Sequence, residues 1–171
     1  MFAISDKTRQ VRFLCDEMLR RLGRWLRAAG YDTVIAEGGI CDRTLVARSI
    51  AEGRVLLTKD RHLAAEAGCS MRVVLVPGDG IDEIARALRS LLDIDWQYAP
   101  FTRCLVDNAL LRPAPTDFGG RVPLASRAIG DPLRVCPDCG RLYWPGGHVR
   151  RMQMRLIAWQ HEETPAAKRT S

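Results

Sequence analysis

Short apolar runs alternate with helix-period stretches over the first part of the chain. Apolar runs at 12–15, 33–36, 55–58 and 73–76 read as short buried strands. Between and after them, residues 17–29, 43–52, 61–67 and 81–92 carry apolar side chains at helical spacing. In the first of these helices, Met18, Leu19, Leu22, Trp25, Leu26 and Ala29 share a face, while Arg20, Arg24 and Arg27 line the opposite one with Arg21 beside them. In the last, Ile81, Ile84, Leu88 and Leu91 share a face. Gly30, Gly53 and Gly68 stand where helices should end. Four strand–helix units in a row imply an α/β fold, a parallel sheet with helices on both faces. This first unit covers residues 11–95.

The rhythm breaks at residues 93–103, which mark a boundary near residue 100. Residues 100–160 then read as a smaller module. Cys136-Pro-Asp-Cys139-Gly is a knuckle that turns two thiolates toward one metal. Cys104-Leu-Val-Asp107 has the same spacing, with 28 residues between it and Cys136 and a carboxylate in place of one thiolate. Cys104, Asp107, Cys136 and Cys139 form a candidate Zn²⁺ site, and the rival is a ribbon held by packing of Leu142, Tyr143 and Trp144. Cys15, Cys41 and Cys69 lack metal spacing and read as buried small apolar residues. Residues 109–135 hold four Pro and three Gly and read as a loop excursion. From His148 onward a helix is expected, with Val149, Met152, Leu156 and Trp159 inward and Arg150, Arg151 and Arg155 outward. Residues 161–171 read as a disordered tail.

Composition narrows the function class. The chain has 171 residues, 47% of them hydrophobic, and no run of 18 apolar residues, so no membrane-spanning helix is expected. The first ten residues lack the apolar core of a signal peptide, so a cytoplasmic location with reduced thiols is expected. The net charge of +6 is uneven: residues 1–100 hold 15 Lys+Arg against 14 Asp+Glu, and the remainder 11 against 6. A basic second part suits contact with phosphate backbones. No dinucleotide fingerprint, Walker motif, serine elbow or HExxH is present.

Open parallel sheets bind ligands at the carboxyl ends of their strands. Asp16 follows the first strand, Asp60 the third and Asp79 the fourth, and Asp42 opens the helix after the second. Three of them are also candidate helix caps: Asp42 and Asp60 for the helices that follow them, and Asp79 with Asp82 as its box partner. Asp16 has no such role to fill. Carboxylates gathered at one edge need a cation, and oxygen ligands favour Mg²⁺ or Mn²⁺. Glu17 could assist. Arg20, Arg24, Arg27, Lys59 and Arg61 supply cations for neighbouring phosphates, and His148 reads as a surface or substrate-contacting group. The pattern points to a metal-dependent enzyme acting on a polyanion, with a non-catalytic binding module of the same fold as the alternative. A haloacid-dehalogenase-type phosphatase would need a second Asp where Met18 stands.

The stretch Phe13-Leu-Cys-Asp-Glu-Met-Leu-Arg-Arg-Leu-Gly-Arg-Trp-Leu-Arg-Ala-Ala-Gly-Tyr-Asp resembles the opening of the Mut-seven C-terminal RNase family. The resemblance continues through Asp42-Arg-Thr-Leu, Arg54-Val-Leu-Leu-Thr-Lys-Asp-Arg-His-Leu, Arg103-Cys, Asn108 and Cys136-Pro-Asp-Cys-Gly-Arg-Leu-Tyr-Trp-Pro-Gly-Gly-His. It implies a PIN-like three-layer α/β/α fold with a C-terminal zinc ribbon and metal-dependent RNA cleavage. It places the acidic cluster on Asp16, Asp42, Asp60 and Asp79, and gives the ribbon a part in holding RNA. The chain departs from the family at Asp107, where a second cysteine is usual, and at Arg21-Leu-Gly.

Overall fold

The computed structural model of the chain describes residues 11–66, 72–115, 122 and 133–161. Strands β1 (Phe13–Cys15), β2 (Thr33–Ile35), β3 (Val55–Thr58) and β4 (Val73–Leu75) form one sheet in the order β2-β1-β3-β4. All three pairings are parallel, with Cys15 opposite Ile35 and Leu57, and Thr58 opposite Leu75. Helices α1 (Arg20–Ala28), α2 (Asp42–Glu52), α3 (Arg61–Glu66) and α4 (Ile81–Leu92) link and follow these strands. The expected α/β fold is therefore present, each strand within a residue of its expected limits.

Strand side chains alternate faces, and two separate cores result. Phe13, Cys15 and Leu57 pack with Leu22 and Leu26 of α1 and with Ile84 and Leu88 of α4. Leu14 and Leu56 point the other way and pack with Leu45 of α2 and Leu63 of α3. Each of these buried leucines contributes about 2 kcal/mol. Helix α1 lies close on β2 because residue 23 is glycine: a Cβ there would stand 2.6 Å from Ile35 Cγ1. Gly30, at φ 101°, ends the helix and lets the backbone of Ala99 approach; an added Cβ would clash with its carbonyl oxygen.

Several face assignments change. Glu17–Leu19 form a 3-10 turn ahead of α1, and Met18 is 70% exposed. The tighter period rotates Met18 off the α-helical stripe. In α4 the inward stripe runs Ile81, Ile84, Ala85, Leu88 and Leu92, so Leu91 faces solvent. Cys15 is buried as expected, but Cys41 is exposed at the N-terminal boundary of α2. Cys69 lies outside the described residues, as do 116–121 and 123–132 of the expected loop excursion and residues 162–171 of the expected tail.

Beyond α4, Trp96 is fully buried; its indole N–H donates to the Ala85 carbonyl. Strands β5 (Arg112–Pro113), β6 (Arg134–Val135) and β7 (Leu142–Tyr143) form a small antiparallel sheet, followed by α5 (Gly147–His161). Met152, Leu156 and Trp159 of α5 enter the core shared by α1 and α4. Arg155, expected outward, is folded in: its guanidinium pairs with Asp82 and lies over the Trp25 and Trp159 rings. Two aromatic faces and a carboxylate within reach outweigh its hydration. Among the described residues, no helix is long and apolar enough to cross a membrane.

Candidate functional site

Because the four strands are parallel, their carboxyl ends share one edge. In the order β2-β1-β3-β4, that edge carries Asp42, Asp16, Asp60 and Asp79. The connections leaving β1 and β3 depart in opposite directions, so the crevice between these two strands is the topological switch point of the sheet. Asp16 and Asp60 flank it. The buried Thr58 joins them: its hydroxyl donates to Asp16 Oδ2 at 2.9 Å and accepts the Asp60 backbone N–H at 2.9 Å.

The other roles of the acids separate. Asp16 precedes the 3-10 turn without capping it through its side chain. Asp60 does cap α3, accepting the N–H groups of His62 and Leu63 at 2.6 and 3.2 Å. Asp42 is the first residue of α2, and Cys41 holds the cap position. Asp79 does not cap α4. Gly80 does, while Glu83 accepts the Asp79 N–H and Asp82 turns to Arg155 and Trp159. Asp79 is fully exposed and pairs with Lys59 at 3.3 Å, and the Lys59 ammonium also donates to the Gly78 carbonyl. No three of these four acids bring their oxygens within 4.8 Å of one another.

The arginines of α1 divide. Arg20, Arg21 and Arg24 are exposed, with Arg20 3.8 Å from Glu17. Arg27 is buried, which corrects its place in the outward stripe, although it also lines the smaller of two cavities beside this helix. Its guanidinium donates to the carbonyls of Thr33, Leu105 and Val106 at 2.8, 3.1 and 2.6 Å, and burial lowers its pKa. Three carbonyls of the first knuckle and β2 would be left without a donor if it faced water. The exposed arginines line two cavities that share Arg24 and Val106. One, of about 190 Å³, reaches Ala36 and Glu37 beyond β2. The other, of about 330 Å³, reaches Arg141 and His148. A basic trough thus runs from the carboxyl edge, along α1, to the second knuckle. Arg61 is exposed at the start of α3. Arg141 was not legible as a site residue because only the folded knuckle carries it to α1.

The second cluster is compact. Cys104, Asp107, Cys136 and Cys139 bring their ligand atoms within 4.8 Å of one another. Cys104 Sγ is 3.9 Å from Cys139 Sγ and 3.4 Å from Asp107 Oδ2, and Cys136 Sγ is 3.1 Å from Asp107 Oδ2. A tetrahedron with zinc–sulfur bonds of about 2.3 Å has edges of about 3.8 Å. The cluster could therefore hold a metal such as zinc, with three soft thiolates and one carboxylate. The Cys139, Cys136 and Cys104 thiols donate to Asp107 and hold its pKa below the ordinary carboxylate value. The same bond pushes the Cys139 thiol up to about 12. A cation at these four atoms would displace those protons. Tyr143 places its hydroxyl 3.0 Å from Cys104 Sγ and accepts the Leu105 N–H at 3.0 Å.

The knuckle is fastened to the sheet at the opposite edge from the acids. Arg54, 8% exposed, pairs with Asp32 at 2.8 Å and with Glu52 at 2.6 Å. Asn108 donates to Asp32 at 2.7 Å and accepts the Thr33 N–H, while Arg103 donates to the carbonyls of Gly30 and Asn108. Arg54, Arg103 and Asn108, which carry part of the family resemblance, thus serve the architecture.

A family model described as the Mut7-C RNAse domain matches residues 11–156. No curated protein and no solved structure matches the chain.

Proposed function

The chain belongs to the Mut7-C RNAse domain family, and on that premise we propose that it is a divalent-metal-dependent ribonuclease of PIN-like mechanism. The observation that carries this reading is the Asp16–Thr58–Asp60 relay at the switch point of the sheet, with a basic trough leading away from the same edge. Asp16, Asp42 and Asp60 would hold Mg²⁺ or Mn²⁺, with Glu17 or Asp79 assisting, and an ion held there would supply Lewis-acid chemistry toward a phosphodiester. The chain's own part is to place these carboxylates and to guide the substrate. Thr58 holds the Asp16 carboxylate in one orientation. Arg20, Arg21 and Arg24 would take the phosphates beside the cleavage point, and Arg141 and His148 those farther along. Lys59 holds the Asp79 loop and, with Arg61, adds positive charge at the edge.

Asp16→Asn should abolish Mn²⁺-dependent cleavage of an RNA panel while leaving the melting temperature nearly unchanged. Equal cleavage by variant and wild type would overturn the assignment.

A second reading is favoured by the spread of the acids and by the capping work of Asp60: a non-catalytic RNA-binding module. Titration with Mn²⁺ separates the two. A nuclease gains thermal stability with Mn²⁺ and loses that gain when Asp16, Asp42 and Asp60 are all changed to Asn; a binding module gains none.

A further inference from the structure

A second cavity lies on the other side of the first turns of α5. The basic trough is lined by His148 and Met152; this cavity, of about 280 Å³, is lined by Val149 and Gln153 of the same helix. Its other walls include Phe101, Arg134, Tyr143 and Trp144, with Pro100 and Pro145 beside them. Three aromatic rings, one guanidinium and one side-chain amide meet there. The volume suits one planar ring system rather than a stretch of polymer.

The wall is held rigidly. Phe101 has φ 57°, a left-handed conformation that a bulky aromatic residue adopts only when its surroundings enforce it. Here the Phe101 N–H is fixed to the Ala28 carbonyl at 2.8 Å, and the Ala99 N–H to the Ala29 carbonyl at 2.9 Å, at the end of α1. Tyr143 is fixed through its hydroxyl, between Cys104 Sγ and the Leu105 N–H. Tyr143 thus lines the cavity while its oxygen touches Cys104 of the candidate metal site. Trp144 and Gln153 stand nearer to solvent.

We propose that this cavity binds one unpaired base of an RNA strand, stacked on the aromatic wall formed with Trp144, with Gln153 reading the base edge and Arg134 taking an adjoining phosphate. Aromatic faces accept any base, an amide discriminates among base edges, and a guanidinium binds phosphate; the three together are the chemistry of single-strand recognition. A paired base would not reach a pocket of this kind, so the substrate class is single-stranded RNA. The proposal rests on RNA being the substrate of the reading above, but not on cleavage. A proline-rich peptide would use the same aromatic walls without needing the cation.

The test is binding of a fluorescently labelled single-stranded RNA of mixed sequence to the full chain, in buffer without Mg²⁺ or Mn²⁺. Trp144→Ala should weaken binding about tenfold, and Trp144→Phe, which keeps a stacking face, should restore most of it. Gln153→Ala, an exposed helix position, should change the ranking among homopolymeric RNAs, and duplex RNA should compete poorly. Melting temperatures of all three variants check that each is folded. Equal affinity for wild type, Trp144→Ala and Gln153→Ala overturns the pocket, whatever Asp16→Asn does to cleavage. Loss of affinity in Trp144→Ala with cleavage unaffected by Asp16→Asn supports the pocket and overturns the Asp16 assignment. Binding of a proline-rich peptide with no binding of RNA overturns the proposal.

Discussion

Asp107 occupies in the first knuckle the place that Cys139 occupies in the second. Asn108 follows Asp107 at φ 71°, and Gly140 follows Cys139 at φ 67°. The Asn108 N–H bonds the Cys104 carbonyl at 3.0 Å, and the Gly140 N–H bonds the Cys136 carbonyl at 3.0 Å. The turns match while the ligands differ. Zinc prefers thiolate at such a site, and an exposed carboxylate is a weaker partner. Asp107→Cys should therefore tighten zinc binding and raise the melting temperature in zinc, and Asp107→Ala should lower both. Each tenfold change in affinity corresponds to about 1.4 kcal/mol of stability at saturating metal. Competition with a chromogenic chelator measures the affinity directly. If the order Cys, Asp, Ala is not kept, Asp107 is no ligand.

Acid should loosen the fold at Asp32. Partial burial raises the pKa of this carboxyl, but hydrogen bonds from Arg54 and Asn108 outweigh it and hold the pKa below the ordinary value of 3.8. A depressed folded-state value means that the stabilisation is complete above the unfolded-state pKa and is lost as pH falls through the folded-state one. Asp32→Asn should thus flatten the stability profile below about pH 4. Asp32→Ala leaves the Arg54 guanidinium buried with one carboxylate fewer, and should cost about 3 kcal/mol in denaturant titration at neutral pH.

Arg24 and Arg27 differ by one helical turn and should behave oppositely. Arg27→Lys retains the charge but cannot reach three carbonyls at once, and should cost about 2 kcal/mol. Arg24→Ala should change stability by less than about 0.5 kcal/mol, as exposed positions do, and weaken RNA binding. Thermal melts and RNA titrations of the two variants settle the division. Equal effects of both on RNA binding at unchanged stability would make Arg27 a phosphate ligand.

What the sequence disclosed follows from how local each signal was. The strands, the helix ends and the strand-end positions of Asp16, Asp42, Asp60 and Asp79 depend on neighbouring residues alone. So does the ligand spacing within each of the Cys104 and Cys136 knuckles. Arg27 was misplaced because the carbonyls it serves, on Leu105 and Val106, lie far along the chain. Arg155 was misplaced for the same reason, since Asp82 and Trp25 belong to other helices. Trp96 in the core, Cys41 at the surface and Arg141 in the trough are likewise products of packing, and no periodicity records them.

Thr58 offers the sharpest test of the acidic edge. Its hydroxyl is buried and has two partners, Asp16 and the Asp60 N–H. Valine matches its shape but offers neither donor nor acceptor. Thr58→Val should therefore cost about 1–3 kcal/mol from the two groups left unpaired. It should also free the Asp16 carboxylate to rotate. Under the ribonuclease reading, cleavage then falls by about tenfold or more, because a catalytic group loses its fixed orientation. Thr58→Ser keeps the hydroxyl and should recover cleavage while remaining somewhat less stable through the lost methyl. Single-turnover cleavage in Mn²⁺, alongside melting curves, reads both effects. A valine variant that is destabilised yet cleaves normally would make the relay a structural tie only, and would move the search for the metal away from Asp16.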